Sequence, residues 1–254
     1  MRISAVVITL NEEINIARCI ESLIPVADEI VIFDALSSDA TQNICSKYNV
    51  RFISHKWEGY ARQKNFANSL ATNDLILSID ADEALSAQLQ QSILKIKKQD
   101  KYEHGFVFTM AMLPFYNGKW IRHSGLHPDR KKRLWNRNDG QWQGLVHETL
   151  HFSSDVKIVK LKGDLLHYIS DSELFNQEKS DKYAELKARQ MYSQGKKSNV
   201  LKIACKTAWA FFNTFFIRLG FLDGSTGFRI ALNKAQYTKR KYKLLMDFMQ
   251  QPSY

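Results

Sequence analysis

Two aspartates separated by one residue, Asp80 and Asp82, have the spacing of a candidate metal site. They lie at the end of an apolar segment, residues 75–80, whose composition is that of a strand buried in a parallel sheet. In extended backbone, residues i and i+2 point the same way, so both carboxylates could hold one hard cation that bridges a diphosphate. Mg²⁺ and Mn²⁺ prefer oxygen ligands of this kind. The alternative is a polar loop that only caps the next helix.

A second acidic stretch, residues 34–41, follows another strand-like segment and opens a helix. Its carboxylates, Asp34 and Asp39, could accept hydrogen bonds from a nucleobase N–H or from ribose hydroxyls. Thr9 and Asn11 follow the first strand-like segment in the same way. The alternative for the acidic stretch is helix capping, which is compatible with ligand binding.

Strand-like and helical segments alternate through the first hundred residues. This order predicts an α/β fold with a doubly wound, mostly parallel sheet and helices on both faces. Ligands of such sheets bind outside the carboxyl ends of the strands, where the acidic residues collect. The strands are predicted at 2–9, 29–34, 50–54 and 75–80, and the helices at 12–24, about 39–47, 59–70 and 86–98.

The pattern changes after residue 101 to short strands and loops, and from residue 172 to helices. We therefore divide the chain into an α/β domain, residues 1–170, and a helical extension, residues 171–254. The later strands are predicted at 105–112, 131–135, 156–159 and 164–168, and the helices at about 172–193, 199–219 and 226–246.

The net charge of +10 is concentrated in the extension, where residues 179–254 contain 15 Lys and Arg against 4 Asp and Glu. This asymmetry indicates an anionic partner such as a membrane, or else a solvated helical face. A nucleic acid is not expected, because no RNA- or DNA-binding motif is present. Residues 208–222 are rich in Phe, but Asn213 and Arg218 interrupt them, so a bilayer span is not expected. The segment is instead expected to form a helix that lies on an anionic membrane or that packs on the first domain.

The three cysteines are scattered and form no CxxC pair. This usage argues against a disulfide framework and against a structural zinc site. The amino terminus has no basic segment followed by an apolar stretch and a cleavage site. These features favour a cytoplasmic location.

Four elements of the first hundred residues, taken in order, resemble the family-2 glycosyltransferases of GT-A fold. Residues 34–41 depart from the family pattern at Ala35, Leu36 and Ala40. These departures bear on the backbone conformation of that loop more than on its expected role in donor binding. The four elements are Thr-Leu-Asn-Glu-Glu at 9–13, the acidic stretch 34–41, Gly59 with Arg-Gln-Lys-Asn at 62–65, and the strand 75–83 that runs into Asp-Ala-Asp.

The resemblance implies that a sugar is transferred from a nucleotide-sugar donor with Mg²⁺ or Mn²⁺ as the cofactor. Asp80 and Asp82 would bind the metal, with His147 as a third ligand because neutral imidazole suits such ions. Three other histidines, His123, His127 and His167, are alternatives for that third position. The implied donor-binding residues are Thr9, Asn11, Glu13, Asp34, Asp39, Arg62, Lys64 and Asp80.

Glu148 is the candidate catalytic base. Inversion at an anomeric carbon needs a carboxylate that accepts the proton of the acceptor hydroxyl, while a metal stabilises charge on the departing diphosphate. Asp129 and Glu83 are rival bases. The alternative for Glu148 is an exposed residue at the end of a strand.

The second half of the chain resembles a narrower group, the bacterial lipopolysaccharide-core β-glucosyltransferases. This resemblance implies UDP-glucose as donor, a lipid-linked core heptose as acceptor, and a location at the cytoplasmic face of the inner membrane. The alternatives are transfer to polyprenyl phosphate or a peptide, and a binding module without turnover. The residues behind the resemblance are the segments 57–59, 125–128, 133–135, 144–148 and 220–228.

Overall fold

A computed structural model describes residues 1–144, 148–170 and 174–250 of the 254-residue chain. The chain forms two compact units. The first comprises Met1–Leu113 and Asp129–Tyr168, and the second comprises Pro114–Pro128 and Ile169–Tyr254. Residues 114–128 thus group with the C-terminal helices.

Four parallel strands form one half of the sheet of the first unit, in the order β3-β2-β1-β4. The apolar side chains of β1, β2 and β4 are mostly buried on both faces, as expected of central parallel strands, whereas β3 is an edge strand whose Phe52 and Ile53 are partly exposed. The predicted alternation of strands and helices is confirmed here. The elements are β1 (Ile3–Thr9), α1 (Ile16–Leu23), β2 (Glu29–Asp34), α2 (Thr41–Cys45), β3 (Arg51–Ser54), α3 (Tyr60–Ser69) and β4 (Leu75–Asp80).

The other half of the sheet is antiparallel and continues the order as β4-β8-β6-β11-β5, so the whole sheet is mixed. A short strand, β7, pairs with the end of β6, and β9 and β10 form a separate ribbon. These elements are β5 (Glu83–Leu85), α4 (Ala87–Lys97), β6 (Phe106–Tyr116), β7 (Lys119–Trp120), β8 (Asp129–Asn136), β9 (Gly140–Gln143), β10 (Thr149–Phe152) and β11 (Lys157–Tyr168).

The first unit contains two apolar clusters formed by buried sheet and helix residues. In the second cluster, the rings of Trp135 and Trp142 meet edge to face with centroids 5.6 Å apart. Both side chains are buried, so these tryptophans are core residues and are not available to stack on a sugar. Truncation of a buried tryptophan typically costs about 3–5 kcal/mol.

In the part of the second unit that the structure describes, α5 and α6 pack on a long third helix, α7. The side chain of Asn199 caps α6 by accepting a hydrogen bond from the N–H of Lys202 at 2.8 Å. Helix α6 passes directly into a π-helical segment, and a 3₁₀ turn precedes α7. The elements are α5 (Gln177–Ser193), α6 (Val200–Phe212), the π-helical segment (Asn213–Ile217), the 3₁₀ turn (Gly220–Asp223) and α7 (Gly224–Gln250).

Candidate active site

The carboxyl ends of β1, β2 and β4 lie side by side in the sheet. The register pairs Thr9 with Asp34 and Ile8 with Asp80. Because the three strands are parallel, their terminal polar residues meet at the same edge, where α/β sheets bind ligands. The local cause is the sequence pattern, since each apolar run ends at a polar residue.

Arg133 lies on β8, next to β4, and holds two carboxylates at once. Its Nη2 donates to Oδ2 of Asp80 at 2.7 Å and also contacts Oε1 of Glu83. Burial alone would raise the pKa of Asp80, but the charges of Arg133 and Lys64 hold that pKa well below its usual range. Asp80 is therefore ionised at neutral pH.

Glu83 is only 1% exposed and supports the turn that follows β4. Its Oε2 accepts a hydrogen bond from the backbone N–H of Asp80 at 3.0 Å. Burial raises the pKa of Glu83 to about 7; Arg133 opposes this shift, and the charges of Asp80 and Asp82 add to it. These contacts give Glu83 the role of a positioning residue for Asp80.

Lys64, on α3, joins the Asp-Ala-Asp turn to the candidate base. Its Nζ lies 3.1 Å from Oδ1 of Asp80 and 3.1 Å from Oε1 of Glu148. The side chain of Lys64 is 4% exposed, and its ammonium also lies over the ring of Trp142. Glu148 is thus held beside the end of β4 although it is 68 residues from Asp80 in the chain.

Asp82 is paired with a histidine from β11. Oδ2 of Asp82 lies 3.1 Å from Nε2 of His167, and the backbone N–H of Tyr168 donates to the carbonyl of Asp82 at 2.9 Å. Carboxylate oxygens and a neutral imidazole are ligands that Mg²⁺ and Mn²⁺ accept. His147, the predicted third ligand, lies outside the described residues.

The ligand types at the end of β4 fit a divalent cation. Oδ1 of Asp80 lies 3.1 Å from the ammonium of Lys64, and the carboxylate of Asp82 with its partner His167 follows directly in the same unit. Within the described residues, however, no three His, Cys, Asp or Glu side chains are already gathered as a metal-binding group. A bound cation would therefore need these side chains to converge.

The loops after β1 and β2 are tied together by the predicted donor-binding residues. Asn11 accepts from the N–H of Ser38 at 2.8 Å, and Glu13 accepts from the N–H of Ala40 at 2.9 Å. In return, Asp39 accepts from the N–H of Glu13 at 3.0 Å. These side chains therefore shape the loops. Asp39 also accepts from the N–H of Thr41, the first residue of α2, as the capping alternative expects.

Two buried polar atoms near this edge have no hydrogen-bond partner among the described residues, Oγ1 of Thr9 and Nε2 of Gln63. A buried polar group without a partner is costly, which makes such atoms candidates for contact with a ligand. Gln63 precedes Lys64 on α3 and is 1% exposed, whereas the neighbouring Arg62 is exposed. Gln63 belongs to the family-like element 62–65, but the predicted donor contacts there are Arg62 and Lys64, because the short α3 carries too weak an apolar pattern to show which face is buried.

Other candidates named from the sequence lie elsewhere. The carboxylate of Asp129 is 54% exposed and pairs with Lys131 at 2.8 Å. In the second unit, Nδ1 of His123 lies 3.2 Å from Asp223. Arg133 ends a run of four basic residues, 130–133, yet it is only 6% exposed. The apolar residues that follow it in β8, Leu134 and Trp135, are the only local sign of that burial.

The chain belongs to glycosyl transferase family 2, whose family model matches residues 4–156. The predicted GT-A type of α/β fold and the transferase class are thereby confirmed. An uncharacterized glycosyltransferase of Rickettsia typhi is 34% identical over 237 residues, covering 89% of this chain and 80% of the relative. The lipopolysaccharide core biosynthesis glycosyltransferase LpsC of Rhizobium meliloti is 31% identical over 245 residues, covering 92% and 88%.

Solved structures with similar folds include TarS of S. aureus in complex with UDP-GlcNAc. That chain is 16% identical, with 98% of this chain and 92% of TarS covered and a TM-score of 0.49. Family membership rests on the family model and on the relatives with more than 30% identity.

Proposed function

We propose that this glycosyltransferase moves glucose from UDP-glucose onto a heptose of the lipopolysaccharide inner core, with inversion at the anomeric carbon. The observation that supports the proposal is the contact of Lys64 with both Asp80 and Glu148, because it holds the candidate base beside Asp80, one of the two aspartates proposed to face the donor. A base and a donor site must be adjacent for direct displacement.

The reaction is a single displacement at C1 of the donor sugar. The acceptor hydroxyl oxygen forms a bond to C1 as the bond from C1 to the diphosphate oxygen breaks, and UDP leaves with the bonding electrons. Glu148 accepts the proton of the hydroxyl. The ion pair with Lys64 fixes where that carboxylate stands before the acceptor arrives.

Asp80, Asp82 and His167 are the residues that would hold Mg²⁺ or Mn²⁺ on the donor. When bound, such a cation stabilises the negative charge that develops on the leaving diphosphate. The loops after β1 and β2 would hold the nucleoside. Thr9 and Asp34 lie at the strand ends, and Asn11, Glu13 and Asp39 shape the loops that follow. Arg62 remains a predicted donor contact.

The acceptor is proposed from the relative LpsC, which acts in lipopolysaccharide core biosynthesis by its name and which this chain matches over 92% of its length. A lipid-linked core acceptor would place the enzyme at the cytoplasmic face of the inner membrane. Transfer to polyprenyl phosphate would differ chemically, because a phosphate acceptor needs no strong base.

The test is transfer from a panel of UDP-sugars to a deacylated core saccharide, followed by mass spectrometry of the product. We expect activity with UDP-glucose that is lost on addition of EDTA. Glu148→Gln should lower kcat by roughly 10²–10⁴-fold, whereas the matched change at the rival base, Asp129→Asn, should leave it within about twofold.

Three results would count against the proposal. Full activity of Glu148→Gln on a polyprenyl phosphate, with none on the core saccharide, would indicate the phosphate acceptor. Nucleotide-sugar binding without any turnover would indicate a binding module. A product with a retained anomeric configuration would exclude the single displacement.

A further inference from the structure

Helix α6 carries an exposed apolar stripe. Leu201, Trp209, Phe212 and Phe216 follow one another at helical spacing and are 72%, 54%, 46% and 48% exposed. The aromatic rings form a continuous row, with centroids 6.1 Å apart for Trp209 and Phe212 and 5.1 Å apart for Phe212 and Phe216. No residue of α6 is buried. A helix of this composition would ordinarily turn such a stripe toward a core.

The stripe is part of a larger apolar surface. Among the described residues, half of the exposed large apolar side chains fall within residues 200–232. Leu219, Phe221 and Leu222 extend the surface into the 3₁₀ turn that precedes α7. Contiguous exposed apolar surface of this kind marks an interaction site rather than ordinary scatter.

The same region carries only positive charge. Residues 186–222 contain seven Lys and Arg and no Asp or Glu. Lys202 and Lys206 lie along one border of the stripe by their helical positions. Burial, together with repulsion from Lys234, Lys187 and Lys206, lowers the pKa of Lys241. These lysines are therefore crowded together, while two arginines of the same unit are paired with carboxylates, Arg189 with Glu185 and Arg240 with Asp181.

By length and composition alone, the 18-residue stretch Val200–Ile217 could cross a membrane, and 6% of it is buried. Its other side, however, packs on α7: the rings of Phe211 and Phe215 lie 5.6 Å and 5.8 Å from that of Phe228. A spanning helix would be about 27 Å long, short of the ~30 Å hydrocarbon core, and would bury two lysines. The arrangement suits a helix that lies on the membrane.

We propose that α6 and the π-helical segment after it bind the surface of an anionic bilayer, lying flat with Trp209, Phe212 and Phe216 inserted at the headgroup boundary. An apolar face flanked by lysines has the composition of such interfacial helices. A second copy of the chain is a poorer occupant, because it would bring like charges face to face. The inference rests on the second unit alone and does not depend on the proposed donor or acceptor.

The first experiment measures binding of the full chain to sedimented vesicles without nucleotide-sugar. We expect binding to phosphatidylglycerol–phosphatidylethanolamine vesicles and little to phosphatidylcholine vesicles. Phe212→Ser/Phe216→Ser should weaken binding roughly tenfold or more. The matched change of two exposed apolar residues in the first unit, Ile24→Ser/Ile158→Ser, should leave binding unchanged.

The lysines are tested in the same assay. Lys202→Gln/Lys206→Gln should weaken binding by about fivefold for each lysine, and the loss should shrink at high salt. A control pair with the same change in net charge is Lys95→Gln/Lys98→Gln, on exposed positions of the first unit. Equal losses in both pairs would show that only net charge matters, which would overturn the assigned surface.

Cys205 provides a direct probe, because it is the exposed cysteine of the chain while Cys19 and Cys45 are buried. It lies in the apolar stripe by its position four residues after Leu201. A spin label on Cys205 should gain contact with oxygen and lose contact with a polar relaxation agent when anionic vesicles are added. A label that stays in water would overturn the proposal.

Two further outcomes are decisive. If Phe212→Ser/Phe216→Ser converts a dimer into a monomer while vesicle binding is absent throughout, a second copy covers the stripe and the membrane proposal is wrong. Transfer to a soluble acceptor should be unchanged in this variant. If the parent protein transfers no sugar to the core saccharide, the proposed function is wrong, but the conclusion from vesicle binding is unaffected.

Discussion

Nη2 of Arg133 donates to Oδ2 of Asp80 over 2.7 Å, and this pair fixes the aspartate at the end of β4. Arg133 is 53 residues from Asp80 in the chain and reaches it because β8 lies antiparallel to β4. The guanidinium can serve Glu83 at the same time, since its donors point in fixed directions. The first aspartate of the Asp-Ala-Asp motif is thus held by a residue outside that motif.

Arg133→Met should destabilise the first unit by about 3–5 kcal/mol, because it leaves the buried carboxylate of Glu83 without its counter-charge and leaves Asp80 with Lys64 alone. Urea unfolding at neutral pH checks this expectation. Lys131→Met, on the same strand but 43% exposed, should change stability by less than about 0.5 kcal/mol. Adding Glu83→Gln to Arg133→Met should recover part of the lost free energy of unfolding. If the losses of the two single variants simply add, Arg133 and Glu83 do not stabilise each other.

His167→Ala should weaken Mn²⁺ binding in the presence of UDP by roughly tenfold or more, because it removes the imidazole beside Asp82. Electron paramagnetic resonance of free Mn²⁺ measures the affinity without turnover. His151→Ala is the control, since His151 is an exposed residue of β10 that contacts Thr149. Equal affinities for the parent and His167→Ala would remove His167 from the ligand set.

Glu29 should stabilise the protein at neutral pH and cease to do so in acid. Burial would raise its pKa, but hydrogen bonds from Ser4 and from the backbone and side chain of Thr72 lower it. A lowered folded-state pKa adds stability above the unfolded-state value, and that stability is lost as the pH falls through the folded-state value.

Glu29→Gln should therefore cost about 2 kcal/mol at pH 7 and much less near pH 3, which urea unfolding at both pH values measures. Glu103→Gln, at an exposed position, serves as the control. A loss of the same size at both pH values would show that the effect is steric and not electrostatic.

Gly227→Ala should disrupt the second unit. A Cβ at Gly227 would lie 1.8 Å from the carbonyl oxygen of Gly220, a distance that no side-chain adjustment can relieve. We expect a loss of at least about 3 kcal/mol, seen as a lowered Tm by circular dichroism. Ser225→Ala, at an exposed position of the same helix, should leave the Tm unchanged within about 2 °C. An unchanged Tm in Gly227→Ala would show that the 3₁₀ turn at Gly220 can move away from α7 at little cost.

The parallel half of the sheet could be predicted from the sequence because its signals are local. Each strand from β1 to β4 is an apolar run that ends at a polar residue. The carboxyl-edge position of Asp34 and Asp80 follows directly from that order. Glu148 remains the predicted base, and Lys64 holds its carboxylate beside Asp80 at the same edge.

The remainder depended on contacts between distant segments. Nothing near residue 133 shows that its guanidinium meets Asp80, and nothing near Glu83 shows that it begins β5, which pairs with β11. The β9–β10 ribbon was not predicted, because its two short strands carry one buried apolar residue each, Trp142 and Leu150, and so show no apolar run. The Gly-rich motif at 220–228 resembled a family feature, and its physical cause, the close approach of Gly227 to Gly220, appears only in three dimensions.

The shared contacts of Lys64 and Arg133 have an electrostatic consequence. Among the described residues, the four carboxylates of Asp80, Asp82, Glu83 and Glu148 are accompanied by two fixed cations, Lys64 and Arg133. With all four carboxylates ionised, the cluster would carry a net charge of −2. A single doubly charged cation bound there would neutralise it.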